Sequence, residues 1–303
     1  MSCSVRGAVT RLWVNGKRIR FIRVDPTETQ NPQQIDVSQD TIRGTLNPHD
    51  DDVVPGVRIV RFTFRVQPNP SEWAHLVPLM GFTNGGAGTT YTPLTDLTAM
   101  EHDIFVDRVT SGEKYEDCIF DKIVGRSQKG ATPVTLDISV IAKREVDVDG
   151  AVVTFPADNT LFAGRPYVQK NCSLSLDGNA HHPNMVAWGI DHHVDPEYNS
   201  SEIAEDICPA TREVFFATST PYITANEAAL YTDGRDNPET SISGSVSWGR
   251  GNSEFTLTPG ALRLLPRPPA IMSRLQEVRN MLFYRALETD AADLLTIEAD
   301  PTE

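Results

Sequence analysis

The residues best suited to chemistry are two histidine pairs, His181-His182 and His192-His193, with Asp177, Asp191 and Asp195 close by in sequence. Imidazole and carboxylate together are common donors to zinc and related divalent ions. Neighbouring residues on an extended chain point to opposite faces, so each pair offers at most one convenient ligand. Asn179, Pro183 and Asn184 mark a turn around the first pair. Structural or surface imidazoles fit this pattern better than a metal centre, and no metal site or cofactor is assigned. Asp50-Asp51-Asp52, after His49, lacks the alternating oxygen donors and closing glutamate of an EF-hand loop, and reads as a solvated acidic turn.

A catalytic centre finds no other support. The chain has no G-x-S-x-G, Walker A, G-x-G-x-x-G or H-E-x-x-H pattern, so no catalytic residue is assigned and a non-enzyme is expected. Cys3, Cys118, Cys172 and Cys208 are scattered without C-x-x-C spacing, as expected of free thiols in a reducing compartment. The 303 residues are 39% hydrophobic and 22% charged, the balance of a globular chain. Apolar runs are too short to span a membrane, and the opening MSCSVRGAVTRLW has no apolar core of a secretory signal.

Charge is unevenly placed. The net value is −14, yet residues 1–24 hold Arg6, Arg11, Lys17, Arg18, Arg20 and Arg23 and no acid, so the rest carries −20. After Arg285 come Glu288, Asp290, Asp293, Glu298, Asp300 and Glu303 with no further base. Such a body disfavours tight nucleic-acid binding. The basic amino-terminal stretch is suited to an acidic neighbouring copy of the same chain.

The elements that must position any site are mostly strands. Residues 60–66 and 134–140 alternate apolar and polar without a break, the period of a strand with one buried face. Residues 9–22 read as a hairpin turned at Asn15-Gly16. Further strands are expected at 116–124, 152–155, 172–176, 214–218, 241–248, 254–257 and 276–286. One helix is clear: Asn69 caps it, Pro70 opens it, and Glu72 faces the positive end of its dipole. Trp73, Leu76, Val77 and Met80 line one face, and Pro78 should end it early. The second half repeats the plan: a strand at 214–218, then the capping-box pattern Thr224-Ala225-Asn226-Glu227 before a short helix.

The expectation is a mainly β chain with short flanking helices and two related units in tandem. The first unit is 1–146 with a hairpin arm at 1–40, then a linker at 147–165, a second unit at 166–287 and an acidic tail at 288–303. Between the first helix and the next strand lie Thr83, Asn84, Gly85, Gly86, Ala87, Gly88, Thr89, Thr90 and Tyr91, a Gly/Thr-rich loop expected to be functional and unordered without a partner.

The order of these features resembles the tail tube protein family of long-tailed phages and prophages. The likeness is carried by Thr41-Ile42-Arg43-Gly44-Thr45, the alternating strand after it, the short helix, Tyr115-Glu116-Asp117-Cys118, the strand from Pro133, and Ser173-Leu174-Ser175-Leu176-Asp177. It runs over residues 41–287.

The resemblance implies a tail-tube-type β-sandwich or half-barrel and a structural virion protein. Its subunits would close into rings, trimeric and pseudo-hexameric or hexameric, and stack into the tube that conducts DNA to the host. Implied partners are further copies, a tape-measure protein and terminator or baseplate proteins, with double-stranded DNA passing unbound and no membrane. The implied location is the virion tail, and the host cytoplasm during assembly. Residues 83–91 are then the candidate ring-stacking loop and Asp137 the candidate lumen-facing acid in an acidic interior. The alternative is a metal- or carbohydrate-binding β-sandwich module using His181, His182, His192 and His193.

Overall fold

The computed structural model describes residues 10–24, 28–30, 35–36, 53–54, 59–84, 88–108, 111–129, 132–148, 153–197, 204–221, 229–230, 232, 235–237, 239–265 and 279–302. The segments Thr41 to Thr45, Asp50 to Asp52, Gly85 to Ala87 and Thr224 to Glu227 lie outside the described residues.

The chain is mainly β. Strands β1 (Arg11–Val14) and β2 (Lys17–Ile19) form the expected hairpin, with Asn15 and Gly16 at φ of 48° and 73°, as a tight turn matched to strand twist requires. Next come β3 (Phe21–Val24), β4 (Glu28–Gln30), β5 (Ile35–Asp36), β6 (Val53–Val54) and β7 (Ile59–Val66). Helix α1 (Pro70–Leu79) carries the full capping box of Asn69 and Glu72, and Pro78 stands in its last turn, one residue before the helix ends. Strands β8 (Phe82–Thr83), β9 (Thr90–Pro93), β10 (His102–Asp107), β11 (Gly112–Gln128), β12 (Thr135–Ala142) and β13 (Arg144–Asp147) complete the first half.

The second half contributes β14 (Cys172–Leu176), β15 (Asn179–His181), β16 (Met185–Asp191), β17 (Val194–Glu197), β18 (Asp206–Pro209) and β19 (Glu213–Pro221). It ends with β20 (Ser241–Ile242), β21 (Gly244–Arg250), β22 (Ser253–Pro259), β23 (Ala261–Leu265), β24 (Arg279–Leu287) and β25 (Leu295–Asp300). Residues 153–155 form no strand. They belong to a strap whose backbone is held by the amino-terminal hairpin: Trp13 Nε1 donates to Asp158 O at 2.8 Å and Arg20 to Phe162 O at 2.9 Å.

One antiparallel run, β3-β7-β12-β11-β16-β19-β24-β23, crosses the molecule and joins both halves through β11 and β16. Its first four strands and its last four have the same order when each set is numbered along the chain: first, second, fourth, third. A second sheet, β15-β14-β21-β22-β25-β9-β8, packs against it. That sheet takes β8 and β9 from the first half and the rest from the second, so the two halves share one core.

Two sequence expectations change here. Residues 288–303, read as an acidic tail, contain β25, which lies between β22 and β9 with Leu295, Ile297 and Ala299 buried. Strict alternation explains it, since the acids Glu298 and Asp300 occupy the outward positions. The hairpin expected as part of an arm instead extends the main sheet through β10 and buries Leu12, Val14 and Ile19.

Aromatic rings fill the space between the sheets. Trp73 of α1 stacks on Phe255 at 4.0 Å between centroids and meets Trp188 of β16 at 6.1 Å, while Trp248 lies 5.9 Å from Phe255. Gly125 faces Trp188 across the β11–β16 pairing, and a Cβ there would run into the indole ring. Truncation of Trp188 to alanine should cost about 3–5 kcal/mol in urea unfolding. Gly125→Val should also destabilise, and an unchanged midpoint in either variant would contradict this packing.

Candidate assembly surface

The face of the main sheet turned away from the core carries the charged positions of alternating strands. On β12 Leu136, Ile138 and Val140 go inward, which sends Thr135, Asp137 and Ser139 outward. Asp137 meets Arg65 of β7 in a two-pronged pair at 2.5 and 2.9 Å. Lys122 of β11 binds Asp191 of β16 at 2.9 Å, and Arg285 of β24 binds Glu213 of β19 at 2.6 Å. Burial works to raise Asp191, but Lys122 and the His193 N–H outweigh it and hold this carboxyl below its ordinary value.

On β12, β16 and β19 the acids of this face are Asp137, Asp191 and Glu213, each engaged by a base. On β11 Glu116 meets Lys114 and Arg144, Asp117 meets Lys143, and Asp121 accepts the Val194 N–H. Exposed Arg61, Arg126 and Arg263 lie on the same face, by their cross-strand register. Acids here are spent on neighbouring strands, so the chain's excess carboxylates lie elsewhere. At one end the face is capped by a small apolar cluster of Met100, Ile119, Ile141, Val194 and Ile207 under the β17–β18 ribbon.

Among the described residues, no strand pairs with the outer side of β3 or with Leu264 and Leu265 on the outer side of β23. At β3, Ile22 is 52% exposed; at β23, Leu265 is 51% exposed. Strand β20 covers only Leu262 and Arg263 of β23. Isolated apolar side chains on strand edges are an association hazard unless another strand covers them.

The Gly/Thr-rich loop is the tip of the β8–β9 hairpin. Thr83 pairs with Thr92, so Thr83, Thr90 and Tyr91 belong to its strands, and Tyr91 is buried. Strand β25 anchors its base, with Ala299 N donating to Thr89 O at 2.8 Å. Asn84 and Gly88 are linked side chain to backbone at 3.5 Å.

The four histidines take different roles. His181 is buried on β15, and His182 is exposed beside it. His192 is fully buried, with Nε2 at 3.1 Å from Met80 O, while His193 is half-exposed near Asp191 and Glu213. Among the described residues no three His, Cys, Asp or Glu side chains are placed to hold a metal ion. Cys118, Cys172 and Cys208 are free thiols, and burial pushes Cys172 up to about 12. A residue that sequence patterns did not single out is Arg212, which donates to Gly81 O at 2.9 Å and lies over the Phe82 ring. Its position before a strand carries no signature that periodicity could reveal.

No family model matches the chain, and no curated protein matches it.

Burial pushes His102 and His192 down to about 4, with Arg212 adding to the effect at His192. Both rings are neutral in either state above about 6.5, so their contribution is flat there. As pH falls from there to about 4 the unfolded chain takes up protons that the folded chain refuses, and stability drops. Buried Glu72, whose pKa burial raises, acts in the opposite sense. Urea midpoints should therefore decline more shallowly across this window in His192→Gln than in the parent, measured as the slope against pH.

Proposed function

We propose that this chain is the subunit of a phage-type tail tube, closing into rings of three copies that stack into a conduit for DNA. The single observation that carries the reading is the eight-stranded antiparallel run made of two four-strand blocks in the same order, with an edge at either side that no described strand fully covers. Three such chains supply six equivalent blocks, a pseudo-sixfold ring.

Closure is consistent with strand direction. The run has an even number of strands, so β3 and β23 are antiparallel to each other and a copy added at either edge continues the alternation. The exposed Ile22 and Leu265 also sit at matching ends of their edges. Phe21 pairs with Val66 at the end of β7, and β7 joins through β12, β11, β16, β19 and β24 to Leu265 at the same end. Burying an apolar edge against a second edge removes both the unpaired backbone groups and the exposed side chains.

In this reading the outward face of the run is the lumen. Asp137, on this face, is paired with Arg65, so the surface met by DNA is one of cross-strand ion pairs. The β8–β9 tip, rooted on β25, is the part of the chain offered to the neighbouring ring.

Electron microscopy of concentrated protein should reveal rings or tubes roughly 100 Å wide, from some two dozen strands at ~4.8 Å spacing plus an outer layer. Oxidation of Ile22→Cys/Leu265→Cys should give a covalent ladder that stops at three chains. A ladder ending at six would replace the trimer by a hexamer, and no cross-link at any concentration would sink edge-to-edge closure. Deleting residues 85–88 should leave the unfolding midpoint unchanged but block tube growth. Normal growth without them would remove the loop from the stacking contact.

A further inference from the structure

The two ends of the body differ sharply in charge, a feature that net composition conceals. At the end where β16 begins and β21 finishes, Arg165, Lys170 and Arg250 line an open hollow of about 470 Å³ together with Pro166, Val168 and Asn171, with no carboxylate among the described residues that line it. Arg250 donates to Arg165 O at 3.3 Å, which holds it against the strap. Gln169, beside Lys170, is buried and tied to Pro183 O at 2.9 Å and to Ser127, so the floor is built on the core. Nearby Glu254, Glu298 and Asp300 lie on β22 and β25, and none of them lines the hollow.

At the opposite end the polypeptide turns from β24 into β25 and from β14 into β15. These turns expose Glu288, Asp290, Asp293 and Asp177, none of which has a basic partner among the described residues. Strand register fixes the separation: Arg250 pairs with Ser253 at one end of β22, while Pro259 pairs with Leu295 at the other. The seven residues of β22 span roughly 20 Å. That exceeds the ~8–10 Å over which exposed charges act at physiological salt. The two ends therefore cannot neutralise each other within one chain.

We infer that the hollow of Arg165, Lys170 and Arg250 seats the acidic 288–293 turn of a second copy stacked head to tail. The occupant is another copy of this chain. The complementary charges lie on opposite ends of one body, the geometry of an open, non-closing contact. In a chain of net −14, a solvent-facing hollow of three bases is also where a neighbouring carboxylate gains most. This rests on the stacked-ring reading but concerns only the axial contact.

The test uses the full chain in sedimentation at low and high salt, alongside the Ile22→Cys/Leu265→Cys cross-link that reports lateral closure independently. Lys170→Glu/Arg250→Glu turns the hollow from +3 to −1 and should weaken end-to-end association by about tenfold or more while rings still cross-link. Asp290→Lys/Asp293→Lys should do the same, and mixing the two variants should restore stacking. Both sites are surface positions, so unchanged circular dichroism and urea midpoints check the fold. Stacking that survives either reversal, or a wild-type chain that never associates end to end, overturns the inference even if rings form. Binding of inorganic phosphate in the hollow without any effect on assembly would make it a free-anion site and overturn it equally.

Discussion

The structure depends on the contact between Trp73, Phe255, Trp188 and Trp248. Each ring comes from a different element: α1, β22, β16 and β21. Large flat side chains of this kind bury much apolar area at little cost in rotamer freedom, and their offset packing fixes relative position. With Trp73 inserted between Phe255 and Trp188, the helix cannot shift without parting the two sheets. Gly125 answers to the same constraint, because the indole of Trp188 occupies the space its side chain would need.

Polar links extend this anchor to the surface. Trp248 Nε1 donates to Ser127 Oγ at 3.2 Å, and Ser127 in turn bonds Gln169, joining the second sheet, the main sheet and the strap. Such buried bonds hold direction where apolar packing does not, and an unmade partner would carry a full desolvation cost. The strap continues over the amino-terminal hairpin through Arg20 and Trp13, so the first and last thirds of the chain are fastened to the same core.

Charge is then distributed by the geometry of strands. Alternation presents one side chain in two to the open face of the main sheet, and acids arriving there meet bases on the neighbouring strand. Carboxylates without a basic partner among the described residues include Glu288, Asp290, Asp293 and Asp177 in turns at one end, and Glu254 and Glu298 on the outer face of the second sheet. An acidic protein is thereby left with a balanced-to-basic sheet face and a polarised long axis, both suited to ordered association of copies.

Much of the local structure was legible in the sequence. Unbroken alternation marked β7 and β12, Asn15-Gly16 marked the first hairpin, and the Asn69 cap, Pro70 and Glu72 with Trp73, Leu76, Val77 and Met80 marked α1 almost residue by residue. These are short-range effects of backbone sterics, capping and burial period, which neighbours in sequence decide. Other features depended on partners distant along the chain. The acids near the carboxyl end drew attention away from Leu295, Ile297 and Ala299, whose burial requires β22 and β9 on either side. Asp137 was visible as an outward acid, but Arg65, the base that engages it, could be assigned only once β7 and β12 were in register. His192 became a neutral core group because distant elements bury it, with Arg212 adding to the effect. Sequence alone determined the strands whose alternation is unbroken and the apolar side of each; tertiary structure decided the strand at Leu295–Asp300, strand order, ion pairing and which end of the body holds each charge, because those are set by contacts between residues far apart in the chain.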